Sequence, residues 1–594
     1  MGIDRKDIDD KYKWKIDLMY SSQESIDKDI SKIKSYINEI KEYKGKLSQS
    51  KENMYEALNI YEKASQLLQN LYVYTHMKQH EDTRINENQA MATKTDMLST
   101  ELSTASSYMV PEIIAIDESK LKEYLEDEKL SFYKKYIEEI LREKPHTLSE
   151  KEEEILAAVS DLTSVPENAY DMLSYADMDF PKIENEDGEM VKLTHSNFST
   201  FLKSKNNKVR KNAFDAMYKT YDKYKNTFAS MLYGGIKSEI FYSKTRKYES
   251  ALYASLFQDD LSVDVYNNLI KAVDENLDTL NRYVDIKKKF LGLEDIHMYD
   301  LYVPLTESFD MKIPYEEAQE IVLNALKPLG EEYLGLIKRA FEENWIDVYE
   351  NEGKQGGAYS WGSYDSHPYI LMNYKDDLNS LFTLIHELGH SMHSYYSKKT
   401  QPYLYSGYKI FVAEVASTLN ELLLINYLLE KADSKEERVY LLNYYLEQFR
   451  TTVYRQTMFA EFEKLTHVSV EDGNPLTAKE FNDIYYDLNK KYYGNSTVVD
   501  EQIALEWARI PHFYSNFYVY KYATGFSAAS ALSQKILTEG KVAVDKYIEF
   551  LKSGGSDYPL NQLKAAGVDM EKKESVDKAL EVFKELVDKL EKEY

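Results

Sequence analysis

The sequence contains no cysteine in 594 residues. Disulfides and thiolate ligands are thereby excluded, and any metal must be held by His, Asp or Glu. Glycine (21) and proline (12) are sparse, so long helical stretches run unbroken and a mainly α chain is expected. No run of about 18 apolar residues is present, which removes a membrane span from expectation. Positive charge is in deficit: 74 Lys and Arg stand against 101 Asp and Glu, a net −27. A nucleic-acid surface needs clustered Lys and Arg and is not expected. The opening MGIDRKDIDDKYKW has no apolar core of signal type, and Lys6 stands where a myristoylation motif has Ser or Thr; a cytoplasmic location is expected. No repeat of 20–50 residues is visible, which speaks against a solenoid. Tyrosine is abundant, with 53 residues, but rings that pack helices while their hydroxyls reach water carry no functional signal.

From about 22 to 150 the chain reads as successive helices, with seams such as Ala57-Ile60-Tyr61-Ala64-Leu68 and breaks at Pro111 and Pro145. Residues 177–195 carry Gly188 between alternating residues and predict a small hairpin. Helices resume from about 200 to 345. The segment 346–374 departs, with Gly353, Gly356, Gly357 and Gly362 followed by the extended apolar run Tyr369–Met372. A strand at His367–Asn373, just before the next helix, could offer a free edge for main-chain pairing with an extended peptide.

That helix carries His386-Glu387-Leu388-Gly389-His390. At about 3.6 residues per turn, His386 and His390 share one face, one turn apart. The spacing suits two imidazoles on one Zn²⁺, with Glu387 beside them as general base toward a water. The third ligand remains to be found. A pattern with Gly three and His six residues after His390 is excluded, because those positions hold His393 and Tyr396. His393 lies about 10 Å along the axis from His386 and is expected to pack. Downstream, the helical run 410–424 carries Glu414 and Glu421 on one face. Ala413, Ala416 and Ser417 surround Glu414, and small residues let two helices approach closely. They favour Glu414 as the ligand and leave Glu421 as a supporting partner, since a carboxylate in so apolar a run needs one.

HELGHSMHSYYS (386–397), Gln401-Pro402 and IFVAEVASTLNE (410–421) together resemble the oligoendopeptidase F branch of the M3, thimet-oligopeptidase-like, zinc metallopeptidases. Gly356-Gly357-Ala358-Tyr359-Ser360-Trp361 and Ser366–Tyr374 are similar to the family's glycine loop and following strand. His512-Phe513-Tyr514 and Phe517–Ala523 resemble its His/Tyr segment, and Trp14–Leu18 its usual start. The resemblance spans nearly the whole chain. It implies a two-lobed helical ellipsoid with a deep central channel and a small β element beside the zinc helix. It implies an N-terminal helical lobe at 1–200, a catalytic domain at 201–594 and one Zn²⁺ per chain. The implied substrates are short unfolded oligopeptides, contacted by Gly356, Gly357, His367, Tyr369 and Tyr522. Donors to the oxyanion are implied at Tyr520, with Tyr518 and His512 next, although His512 lies closer to the Tyr pair than in the thimet-oligopeptidase branch. A helical zinc carboxypeptidase with the same HExxH…Glu chemistry is the alternative, and a non-catalytic helical binding protein the third reading.

Overall fold

The computed structural model describes residues 3–306 and 312–594. The chain is mainly α, with two small sheets among the described residues. Its contacts divide it into two compact units that interleave along the sequence. One comprises Met1–Pro145, Met311–Leu424 and Lys535–Ala566; the other comprises His146–Asp310, Ile425–Gln534 and Gly567–Tyr594. The boundary of the units thus differs from the linear boundary at 200 that the sequence suggests.

In the first unit, helix α1 (Gln23–Lys41) buries Ile26, Ile30, Ile33, Ile37 and Ile40, a spacing of three and four that gives one apolar face. Ser22 and Ser50 start α1 and α2 (Lys51–Glu81) by accepting the backbone N–H of Ser25 and Asn53. With α3 (Asn86–Ser106) they enclose a core that includes Leu58, Leu71, Leu98 and Leu102. In the second unit, β1 (Lys182–Glu184) and β2 (Met190–Lys192) pair antiparallel around Gly188, whose φ of +80° the turn requires. This is the hairpin expected at 177–195.

The other sheet belongs to the first unit. It contains β3 (Ile346–Asp347), β4 (Tyr359–Trp361) and β5 (Tyr369–Leu371) in the order β3-β5-β4. β5 is parallel to β3 and antiparallel to β4. The expectation of a free edge at His367–Asn373 is therefore corrected: β5 is the central strand, and the edge strand beside the His-bearing helix is β4. The N–H groups of Ile370 and Met372 donate across to the carbonyls of Trp345 and Asp347 at 2.9 and 2.8 Å. Ile370 thus spends its main-chain groups on the β3 side, so Tyr369 and Leu371 pair with Trp361 and Tyr359. By the alternation of an antiparallel ladder, the N–H and C=O of Ser360 then point outward from β4.

Helix α4 (Leu378–Thr400) follows β5, its start capped by Asp377, whose carboxylate accepts the Ser380 N–H at 2.7 Å. α5 (Ile410–Lys431) packs against it. By length and composition α5 is apolar enough to cross a membrane, which the sequence expectation had not allowed for, but 67% of its apolar window is buried inside the protein, as in a core helix.

Candidate metal centre

The crossing of α4 and α5 is set by Gly389. A Cβ placed there would meet Ser417 Cα at 2.5 Å, the Ala416 carbonyl oxygen at 2.7 Å and Ser417 N at 2.8 Å, all backbone. Only a residue without a side chain permits this approach. The small residues on α5 thus have a partner inside the HExxH motif itself, which sequence reasoning did not identify. Asn420 donates through Nδ2 to the Ile385 carbonyl and accepts through Oδ1 from the Tyr333 hydroxyl, holding α5 in register beside α4.

At this crossing, His386, His390 and Glu414 converge. They are the one group of His and acidic side chains, among the described residues, close enough to share a metal ion. His386 Nε2 and His390 Nε2 lie 3.2 Å apart, and Glu414 Oε2 lies 3.4 Å from the first and 3.5 Å from the second. A tetrahedral zinc with ligands at about 2.0–2.2 Å places its ligand atoms about 3.3–3.6 Å apart. The three edges of the triangle fit that ion. Ser417 Oγ lies 3.1 Å from Glu414 Oε2 and steadies it.

Glu421 accepts a short hydrogen bond from His386 Nδ1. That bond fixes the tautomer, leaving Nε2 directed at the convergence point. Burial opposes charge on His386, but Glu414 and Glu421 outweigh it and push its pKa up to about 10. Burial would likewise raise Glu414, yet the two imidazoles outweigh it and hold the carboxyl well below the usual range. Protons and a divalent cation would compete for the same nitrogens, so metal affinity should rise with pH.

Glu387 is 7% exposed. Burial raises its pKa, while His386, His390 and the outward N–H of Ser360 on β4 pull it back. Ser360 Oγ pairs with Ser391 Oγ of α4 at 2.8 Å. Sequence reasoning missed Ser360 and Ser391; the alternation Tyr359-Ser360-Trp361, with its one small polar member facing the other way, was the available signal. His393 packs, as expected: it is 1% exposed, stacks on Tyr408 at 3.7 Å, and burial lowers its pKa to about 3.

The expected substrate contacts divide. Gly356 and Gly357 are exposed, with open space where a Cβ would lie. The 2.8 Å bond from Asn373 Nδ2 to the Gly357 carbonyl ties this loop to the end of β5. Tyr369 is 1% exposed and its hydroxyl donates to the Lys15 carbonyl. Its side chain is core, so the expectation that it contacts substrate is corrected. His367 stacks on Trp345 at 4.4 Å and bonds the Pro368 carbonyl through Nδ1, a packed ring rather than a free one.

Tyr518, Tyr520, Tyr522 and His512 belong to the second unit. Tyr520 opens α6 (Tyr520–Glu539) and is 1% exposed, its ring 5.1 Å from that of Tyr266. Tyr518 and Tyr522 are half-buried with rings 5.4 Å apart, and His512 is exposed. The turn before them contains Phe517 at φ +49°, whose N–H is accepted by the buried Glu463 at 3.2 Å. Such a conformation costs about 1 kcal/mol or more in a residue with a side chain and persists where packing over-determines it.

Two imidazoles and a carboxylate converging on one point, with a buried carboxyl alongside, are the donor set of a metal-dependent hydrolase on a helical scaffold. The sequence profile of Peptidase family M3 matches residues 200–582, and that of Oligopeptidase F matches residues 112–180. The chain is 49% identical over 589 residues to oligopeptidase PepF of Bacillus subtilis, covering 99% of this chain and 88% of that one. A crystal structure from Chlamydophila abortus superposes with a TM-score of 0.95 at 36% identity, over 100% of both chains. Oligoendopeptidase-F from Enterococcus faecium superposes at 0.74 and 36% identity, over 96% and 99%. The chain belongs to peptidase family M3, a metalloendopeptidase of that family.

Proposed function

We propose that the chain is a zinc-dependent endopeptidase that hydrolyses internal bonds of short, unfolded oligopeptides. The observation that carries this is the His386–His390–Glu414 triangle, whose edges of 3.2, 3.4 and 3.5 Å suit a tetrahedral ion, with Glu387 adjacent. The names of the similar proteins, oligopeptidase and oligoendopeptidase, supply the substrate class. One zinc per chain, a cytoplasmic location, and a sequence division into an N-terminal helical part (1–200) and a catalytic part (201–594) complete the proposal.

His386, His390 and Glu414 would hold the ion. When bound, Zn²⁺ would acidify a water and polarise the scissile carbonyl. Glu387 takes the water's proton on its carboxylate and returns it to the departing amine. Its burial keeps the carboxyl more basic than an exposed one, which suits an acceptor that must later donate. Ser360 lies on the outer edge of β4 with its N–H against the Glu387 carboxylate and its C=O directed outward. A peptide lying along that edge would be held by main-chain hydrogen bonds irrespective of its side chains. Among the aromatic donors, accessibility favours Tyr518 and His512 over Tyr520, because a hydroxyl that meets an oxyanion must reach a surface.

Cleavage of peptides blocked at both ends, mapped by mass spectrometry with and without a chelator, tests the reading. Internal cuts that the chelator abolishes and Zn²⁺ restores are expected. Cleavage only of peptides with a free C-terminal carboxylate would establish the carboxypeptidase alternative instead.

A further inference from the structure

Helix α2 runs beneath the sheet of the first unit, and its successive stripes meet successive strands. Val73 and Met77 are buried with Tyr369 and Leu371 under β5. Glu81, on one side of that stripe, binds Arg5 and the Trp14 indole N–H, and Arg5 reaches Asp347 of β3. Tyr72, His76 and His80, spaced four apart, form the neighbouring stripe on the opposite side. All three meet β4. Trp361 lies 6.0 Å from Tyr72 and 6.3 Å from His76, and Tyr359 lies 5.5 Å from His80, whose Nδ1 bonds the Tyr359 hydroxyl at 2.8 Å.

This stripe therefore lies under β4, the edge strand of the sheet. Tyr72 and His76 stack at 4.0 Å and 21°, and both are partly buried, as is Trp361; the His76 side chain keeps 15% of its surface exposed. His76 is held in place from both ends, by the Tyr72 carbonyl at 2.9 Å and by Asp96 of α3 at 3.3 Å. The result is a fixed set of flat, partly accessible rings on one side of β4. On the opposite side of β4, Ser360 turns toward Ser391 and Glu387.

A peptide added to the edge of β4 must alternate in the same way, because successive side chains of a strand point to opposite faces. Those on one face turn toward α4 and Glu387, and those on the other turn toward α2. We propose that Tyr72, His76 and Trp361 form a subsite that selects aromatic side chains at the substrate position directed toward α2. This rests on the reading of β4 as the substrate-binding edge. Offset and edge-on ring contacts favour an aromatic side chain over a small one by several-fold to about tenfold beyond the area buried, and the pre-stacked pair loses little freedom on binding. The preference should recur at alternate positions, fading away from the contact.

The test uses zinc-loaded full-length protein and doubly blocked peptides carrying Phe, Tyr, Leu or Ala at each position in turn. Wild-type protein should prefer Phe and Tyr over Ala about tenfold in kcat/KM at one position. Tyr72→Ala and His76→Ala should each reduce cleavage of the Phe peptide while leaving the Ala peptide and the zinc content unchanged. Tyr72→Phe, which keeps the ring, should retain the preference. Equal loss for Phe and Ala peptides, or no loss for either, would overturn the subsite. Cleavage of none of the peptides by wild-type protein would overturn the peptidase reading beneath it, and the subsite with it.

Discussion

Replacing Gly389 by alanine sets two effects against each other, and the structure decides the sign. Helix propensity alone favours alanine by about 0.8–1 kcal/mol. Against this, the new methyl would sit 2.5 Å from Ser417 Cα and 2.7–2.8 Å from the neighbouring backbone oxygen and nitrogen. Ordinary contact would require α4 and α5 to separate by about 1 Å, since neither obstacle is a movable side-chain end. Overpacking of this kind costs about 1–3 kcal/mol, so after the propensity gain the net change is a destabilisation of roughly 0–2 kcal/mol. The larger consequence falls on the metal. Glu414 is carried by α5, and a shift of about 1 Å stretches its 3.4 and 3.5 Å distances to the imidazoles beyond the span of a tetrahedral ion. Zinc affinity should fall at least as far as on losing an outer-shell partner, roughly 10–100-fold. Metal analysis after dialysis against a competing chelator, alongside a thermal melt, reads both effects. A Gly389→Ala protein that melts higher and keeps its zinc would refute the close-approach argument.

Further outcomes follow from the same geometry. Glu414→Gln should lose zinc more completely than Glu421→Gln, because the first removes a ligand charge and the second only the partner of His386 Nδ1; equal retention in dialysis would reverse the assignment. Asp347→Asn should destabilise the first unit by about 3 kcal/mol, since it strips the carboxylate from the fully buried Lys354 and from Arg5, as chemical denaturation would show. Burial alone would raise Asp347, but Arg5 and Lys354 outweigh it and depress its pKa, so its contribution is present above the unfolded carboxylate pKa and is lost as pH falls through the lower folded value. His393→Phe should keep the metal and gain stability in acid: the native imidazole, lowered to about 3, resists a proton that the unfolded chain takes up below about pH 6.5. Tyr518→Phe should lower kcat by roughly 10²–10³-fold if its hydroxyl meets the oxyanion, with zinc content unchanged; an unaltered kcat would move the role elsewhere.

The readable parts of this molecule are those encoded over one or two turns. His386, Glu387 and His390 are legible because a helix fixes their relation regardless of tertiary context. The grouping of Glu414, rather than Glu421, with the two imidazoles was also within reach, since Ala413, Ala416 and Ser417 mark where α5 can approach another backbone. Strand order was not, because β5 becomes central only through residues 346–347, more than twenty positions earlier. One local clue existed. Tyr369-Ile370-Leu371-Met372 is apolar without alternation, the mark of a strand buried on both faces, whereas Tyr359-Ser360-Trp361 alternates. The interleaved compact units were out of reach for a similar reason, since each is assembled from three separated stretches of chain.

The proposed chemistry depends most directly on Glu387. Glu387→Gln leaves His386, His390 and Glu414 in place, so the protein should bind zinc and peptide as before while losing its proton acceptor. Its kcat on a doubly blocked peptide, measured with the zinc content of the same sample, should fall by at least 10²–10⁴-fold. A zinc-replete Glu387→Gln protein that kept more than about a tenth of wild-type turnover would contradict the proposed mechanism.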